Sequence, residues 1–142
     1  MLVKKLHKDA IIPNYTTMGA VAFDIRALED IVIVPKFGVY KVRTGLAFAV
    51  PEGYELSVRP RSGLSIKYPN YISNSPGTID YDYRGELMVL VINNTDTSWQ
   101  IRKGDRIAQC VLSPIERCYF ELVDELPETE RGSGGLGHTG VK

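Results

Sequence analysis

The sequence is poor in several things, and each scarcity excludes a class of protein. No apolar run comes near the ~20 residues of a membrane-spanning helix. The opening stretch, MLVKKLHKDA, lacks the apolar centre of a secretory signal. An excess of one charge is also missing: Lys plus Arg and Asp plus Glu number 17 each. No global field therefore draws nucleic acid or an anionic membrane, although a local basic site is compatible with that balance. The cysteines are only Cys110 and Cys118. Both lie in apolar, strand-like runs without metal-ligand spacing, which implies buried free thiols in a reducing compartment. Helical periodicity is nearly absent. The chain also has no internal repeat and no linker ahead of its tail. An intracellular, soluble, cytoplasmic protein is expected, binding neither nucleic acid nor membrane.

What remains is ordinary globular material. The 142 residues suit one domain with one core, at 44% apolar and 24% charged. Short extended runs recur, each closed by a turn signal: IVIV (31–34), VYKVRTGLAFAV (39–50), YELSVRP (54–60), ELMVLVIN (86–93), RIAQCVL (106–112) and CYFELV (118–123). Their β-branched and aromatic content, with turns such as NNTD and RKGD between them, predicts an all-β barrel or jelly roll. One short turn of helix is expected within RSGLSIKY (61–68), with Ser62 as its N-cap. Residues 124–142 leave the pattern, becoming acidic and then glycine-rich, and read as an arm outside the barrel.

Five polar stretches interrupt this frame, and each has a bland and a chemical reading. GTIDYDYRGEL (77–87) is either a polar hairpin tip or a rigidly held carboxylate that orients a water beside an aromatic wall. RPRSGLS (59–65) is a surface arginine before an ordinary helix cap, or an arginine–hydroxyl–amide set for phosphate. Gln109 in GDRIAQCVL (104–112) faces out of a half-buried strand, or is a buried amide in need of partners. Asp24 in AVAFDIRA (20–27) sits at an edge, is paired, or lies near a metal. RGSGGLGHTG (131–140) is a solvated end, or a loop whose backbone amides grip phosphate.

In their order and separations these five stretches resemble the five motifs of the trimeric dUTP diphosphatase family, over about residues 19 to 140. The resemblance implies a jelly-roll-type β-barrel (residues 1–123) with a flexible glycine-rich C-terminal arm (124–142) closing over the active site of another subunit. It also implies a homotrimer whose three sites each draw on all three chains. The implied reaction is hydrolysis of dUTP to dUMP and pyrophosphate with Mg²⁺, which keeps uracil out of DNA and supplies dUMP for thymidylate synthesis.

Carried over position by position, Asp80 matches the aspartate that activates the attacking water, and Tyr83 the tyrosine packed on the deoxyribose. Asn74 falls at the uracil-contacting asparagine, with Gly77, Ile79 and Met88 among the substrate contacts of the third motif. Arg61, Ser62 and Gly63 match phosphate contacts, and Gln109 matches the glutamine at the phosphate and water site. Asp24 corresponds to an aspartate that reaches the metal through water. Arg131, Ser133, Gly134, Gly135, Leu136, Gly137 and Thr139 fall on the arm's ligand contacts. Leu136 departs from the family, which usually has an aromatic ring there to stack on uracil. His138 takes no catalytic role. The related dCTP deaminases carry a catalytic glutamate ten residues beyond the third-motif aspartate. Leu90 stands at that position here, which argues against deamination. A non-catalytic dUTP-binding regulatory barrel would have no need to keep both Asp80 and the arm.

Overall fold

The computed structural model describes residues 1–36, 38–135 and 138. Among the described residues ten strands and one short helix follow one another: β1 (Leu2–Lys5), β2 (Phe23–Arg26), β3 (Ile31–Ile33), β4 (Tyr40–Arg43), β5 (Leu46–Ala49), β6 (Tyr54–Arg59), α1 (Ser62–Lys67), β7 (Gly77–Ile79), β8 (Met88–Val91), β9 (Trp99–Ile101) and β10 (Arg106–Pro114). Every pairing is antiparallel. One four-stranded sheet runs in the order β2-β10-β6-β7, and β1-β5, β3-β9 and β4-β8 form pairs. The fold is the expected all-β, jelly-roll-type barrel.

Alternation explains most strands. In β8, Val89 and Val91 point into the core while Met88 faces out, and in β9 Trp99 and Ile101 flank an exposed Gln100. Ile25, Ile33, Leu56, Val89, Val91, Ile101 and Ile107 form a fully buried centre. An aromatic group closes one side: Tyr68 stacks on Trp99 at 4.1 Å between centroids, and Tyr71 meets Trp99 edge-on at 5.5 Å. β10 departs from alternation at one place. Its register to β2 steps from Arg106↔Arg26 to Ala108↔Ile25, so Ile107 is an extra residue. This bulge lets both Ile107 and Ala108 be buried side by side, and it frees backbone groups from the ladder.

Four expectations are corrected. The run 39–50 is two strands, because Gly45 (φ +68°) turns the chain between β4 and β5. Ser62 does not cap α1. The N-cap is Arg61, in extended conformation (φ −90°, ψ 133°) and without a side-chain cap bond, while Ser62 is the first helical residue. Residues 118–123 form no strand: beyond the bond from Ile115 N–H to Gly53 C=O (2.9 Å), no strand pairing follows among the described residues. Finally, only one thiol is buried. Cys110 is enclosed, and burial pushes its pKa up to about 12, whereas Cys118 is exposed.

Gly45 is confined as well as turned. A Cβ there would stand 2.9 Å from the Ala10 Cβ and 3.1 Å from the Leu28 Cδ1. Gly45→Ala combines a left-handed backbone with overpacking and is expected to destabilise the fold by about 2–4 kcal/mol. Denaturant unfolding of the variant beside wild type measures this, and a midpoint unchanged within error would refute it.

Candidate active site

Polar groups gather at two places on the four-stranded sheet. The first lies where β2, β10 and the start of α1 meet. In β10, Gln109 pairs with Asp24 of β2 on one side and with Arg59 of β6 on the other. Asp24 is half-buried and paired rather than isolated: its Oδ1 accepts from Arg61 Nε at 2.7 Å, and its Oδ2 from Arg106 Nη1 at 3.3 Å. These charge-assisted bonds point the Arg61 guanidinium along the sheet edge. Its Nη1 also donates to Arg106 C=O at 3.3 Å. Gln109 is half-buried, with its Nε2 donating to Pro60 C=O at 2.8 Å, so it braces the segment that leads into Arg61. Ser62 and Gly63 follow, exposed, at the first turn of α1. The result is a cationic ledge with a hydroxyl and helix-start amides, a combination suited to phosphate oxygens.

The second place is the segment 80–87. It is not the tip of a β-hairpin, because β7 pairs with β6 while β8 pairs with β4. The segment instead carries the chain from one sheet to another. A turn forms with Tyr83 N–H donating to Asp80 C=O (3.2 Å), and Arg84 Nη1 donates to the carbonyls of Tyr81 (2.6 Å) and Tyr83 (2.9 Å). Tyr83 folds back, its hydroxyl donating to Glu86 C=O at 3.0 Å, and its ring covers Gly85 so closely that a Cβ there would collide with the ring. Glu86 anchors the far end. Its Oε1 accepts from the amides of Gly45 (2.8 Å) and Thr44 (3.2 Å), and its Oε2 from Arg43 Nε (3.1 Å). Asp80 is exposed beside a cleft of about 300 Å³ that is also lined by Tyr54, Thr78, Tyr81, Asp82 and Arg117. Asn74 is exposed and lies over Gly77, where a Cβ would come within 3.1 Å of its Nδ2. Ile79 is half-buried and Met88 exposed. Asn74, Tyr83 and Met88 do not line that cleft.

The described residues of the arm form a third group, bonded among themselves. Arg131 Nε donates to Gly134 C=O (2.8 Å), Gly134 N–H to Arg131 C=O (3.1 Å), and Gly132 N–H to Thr129 C=O (3.0 Å). Arg131, Ser133 and Gly135 are exposed, and Gly134 is partly covered. Leu136, Gly137 and Thr139 lie outside the described residues.

Register shows how far apart the first two groups lie. Leu56 pairs with Ile79, so Asp80 falls beside Glu55, while Gln109 pairs with Arg59. Four residues of β6 separate those rows, about 13 Å at ~3.3 Å per residue. A single chain therefore holds a carboxylate suited to ordering water at one end of the sheet and a phosphate-type ledge at the other. The roles of Glu86 and Arg106 were not read from the sequence, because their partners are backbone groups or residues distant along the chain. Among the described residues, no three His, Cys, Asp or Glu side chains converge as a metal cage. Each Asp24 oxygen accepts one arginine N–H and keeps a lone pair for water, which fits contact with a cation through water and not direct ligation.

Comparison with known proteins places these features in context. A family model described as dUTPase matches residues 8–140. The chain is 48% identical over 139 residues to the deoxyuridine 5'-triphosphate nucleotidohydrolase of Nautilia profundicola, covering 97% of this chain and 96% of that one. The protein of the same name from Hydrogenobaculum sp. is 47% identical over 142 residues, covering 100% and 99%. Among solved structures, a mutant dUTPase of Staphylococcus bacteriophage 80alpha with dUpNHpp superposes with a TM-score of 0.89 at 29% identity, over 99% of this chain and 98% of that one. A mutant dUTPase from phage phi11 of S. aureus, which coordinates a structural Mg(II) ion, superposes with a TM-score of 0.78 at 27% identity, over 87% and 96%.

The close contact of Tyr83 with Gly85 has a direct test. Gly85→Ala is expected to displace the Tyr83 ring, shifting its NMR resonances, while the unfolding temperature moves by less than ~4 °C because the site is exposed. Unshifted Tyr83 resonances would show that the ring does not rest on Gly85.

Proposed function

The chain belongs to the dUTPase family, and from that membership we propose that it hydrolyses dUTP to dUMP and pyrophosphate. Asp80 orients a water and takes its proton as the oxygen attacks the α-phosphorus, and pyrophosphate leaves on the opposite side. General-base help of this kind is worth about 10²–10⁴-fold. Arg61, the Ser62 hydroxyl and the amides of Ser62 and Gly63 bind the phosphates and stabilise charge in the transition state. Mg²⁺ bound to the triphosphate would neutralise charge and fix the phosphate geometry, with Asp24 touching it through water. Asn74 and the neighbouring backbone pair with the uracil edge. Cytosine reverses two of the three hydrogen-bonding groups, at roughly 1–3 kcal/mol each. Tyr83 packs on the deoxyribose and leaves no room for a 2′-hydroxyl.

The observation that carries this reading is the separation of the Asp80 segment from the Arg61 ledge. A triphosphate nucleotide bound at one chain's Asp80 would take its phosphate contacts from another chain, as a homotrimer with shared sites provides. Exposed apolar residues support such an assembly: Tyr119, Phe120 and Leu122 are 96–100% exposed, and such a patch marks an interface. Arg131, Ser133, Gly134 and Gly135, together with Leu136, Gly137 and Thr139, then supply the third chain's contacts to the ligand. The domain division follows: a barrel over 1–123 and the arm over 124–142. No helix among the described residues is long and apolar enough to cross a membrane, and we assign the enzyme to the cytoplasm, where it keeps uracil out of DNA and supplies dUMP.

The test is product analysis with dUTP, dCTP, dTTP and UTP, each with Mg²⁺. dUMP and pyrophosphate from dUTP alone support the reading, and turnover of dCTP or UTP at a similar rate overturns it. Asp80→Asn is expected to bind dUpNHpp as wild type does and to lose at least ~10²-fold in single-turnover rate. A rate within about fivefold of wild type would move the base elsewhere. Ending the chain after Glu130 should leave the oligomer intact by light scattering and remove most activity. Full activity in the shortened chain would release the arm from the site.

A further inference from the structure

Tyr71 is fully buried and has no substrate role assigned to it, and yet it makes two short hydrogen bonds with its hydroxyl. The oxygen accepts from the Arg61 backbone N–H at 2.7 Å, and the O–H donates to Ile107 C=O at 2.9 Å. Both partners are unusual. Arg61 is the N-cap of α1 and has no side-chain cap. Ile107 is the extra residue of the β10 bulge, so its carbonyl lies outside the regular ladder. The ring is held from the side by Trp99, edge-on at 5.5 Å, and Trp99 in turn is stacked on Tyr68. Burial pushes the phenol's pKa up, so the group keeps its proton and remains a donor.

We propose that Tyr71 is a positioning residue for the phosphate side of the site, acting through Arg61. The arginine is fixed at both ends: its backbone by Tyr71, and its guanidinium by Asp24 at 2.7 Å and by Arg106 C=O at 3.3 Å. Arg61 is also where extended chain becomes helix, so its backbone orientation sets the direction of its own side chain and of the Ser62 and Gly63 amides after it. Without the hydroxyl, the Arg61 N–H and the Ile107 carbonyl both lose this partner. The cost of that pairing loss is met most easily by rotation of the Pro60–Arg61 segment, which swings the guanidinium off its line. The proposal rests on the phosphate role assigned to Arg61.

Tyr71→Phe removes the hydroxyl and keeps the ring against Trp99. The expected result is a loss of about 5–20-fold in affinity for dUpNHpp with a much smaller loss for dUMP, which lacks the outer phosphates. In an Arg61→Ala background, which keeps the backbone N–H and removes the guanidinium, the same substitution should cost distinctly less dUpNHpp affinity than in wild type, because only the Ser62 and Gly63 amides are left to be displaced. A purely structural role predicts otherwise: lower thermal stability, with dUpNHpp and dUMP affinity equally affected or unaffected, and the same effect in both backgrounds. Any of those patterns overturns the proposal. Amide exchange in wild type reads the contact without substitution. The Arg61 N–H should exchange at least ~10-fold more slowly than that of Ser62, and equal rates would also overturn it. If wild type neither binds dUpNHpp nor hydrolyses dUTP, the functional reading itself falls, an outcome separate from these.

Discussion

One extra residue in β10 lies at the centre of the ledge proposed to bind phosphate. β10 pairs with β2 from Arg106 to Cys110 and with β6 only from Gln109 onward, so residues 106–108 have no ladder partner on the β6 side. The bulge at Ile107 falls within that stretch. It turns the carbonyls of Arg106 and Ile107 toward Arg61 and Tyr71, and it buries Ile107 beside Ala108 without a polar residue between them. Asp24, Gln109 and Arg61 then converge across two strands and the start of α1.

The opposite end of the sheet solves a different problem. The segment 80–87 must leave β7, cross to another sheet and enter β8 while presenting an exposed carboxylate and tyrosine. It is anchored by Glu86, whose carboxylate satisfies two amides at the Thr44–Gly45 turn, with Thr44 Oγ1 donating to Leu87 C=O at 2.6 Å alongside. Gly45 and Gly85 are both required there, the first for its left-handed backbone and close packing, the second for the ring that lies on it. Rigid supports under exposed polar groups are what a preorganised site needs.

These two ends are held about four strand residues apart by the same central strands, β6 and β10, and those strands cannot slip without exposing their buried faces. Rigidity within one chain thus keeps the carboxylate away from the arginine ledge. In the proposed trimer that separation becomes useful, since each chain offers its two ends to different neighbours, and the exposed apolar segment around Tyr119 and Phe120 gains a surface to cover.

Much of this was legible in the sequence, for definable reasons. Strands such as β8 and β9 announce themselves by alternation, because burial on one face of a pleat has a period of two. The order of the polar stretches identified the family resemblance and with it the residues of interest, since spacing survives where contacts are unknown. The tertiary structure decided what depends on partners remote in the chain. Asp24 is a charge paired with two arginines, 37 and 82 residues away. Ser62 yields the cap position to Arg61. The expected strand at 118–123 does not form, because a strand requires a neighbour and this chain provides none among the described residues. Cys118 was expected to be buried because it lies in an apolar run, but that run is exposed here. The two partners of the Tyr71 hydroxyl, the Arg61 N–H and the Ile107 carbonyl, are 10 and 36 residues away, and no local pattern signals them. Periodicity is a local property and can be read along the chain; pairing is a property of the folded surface and could not be.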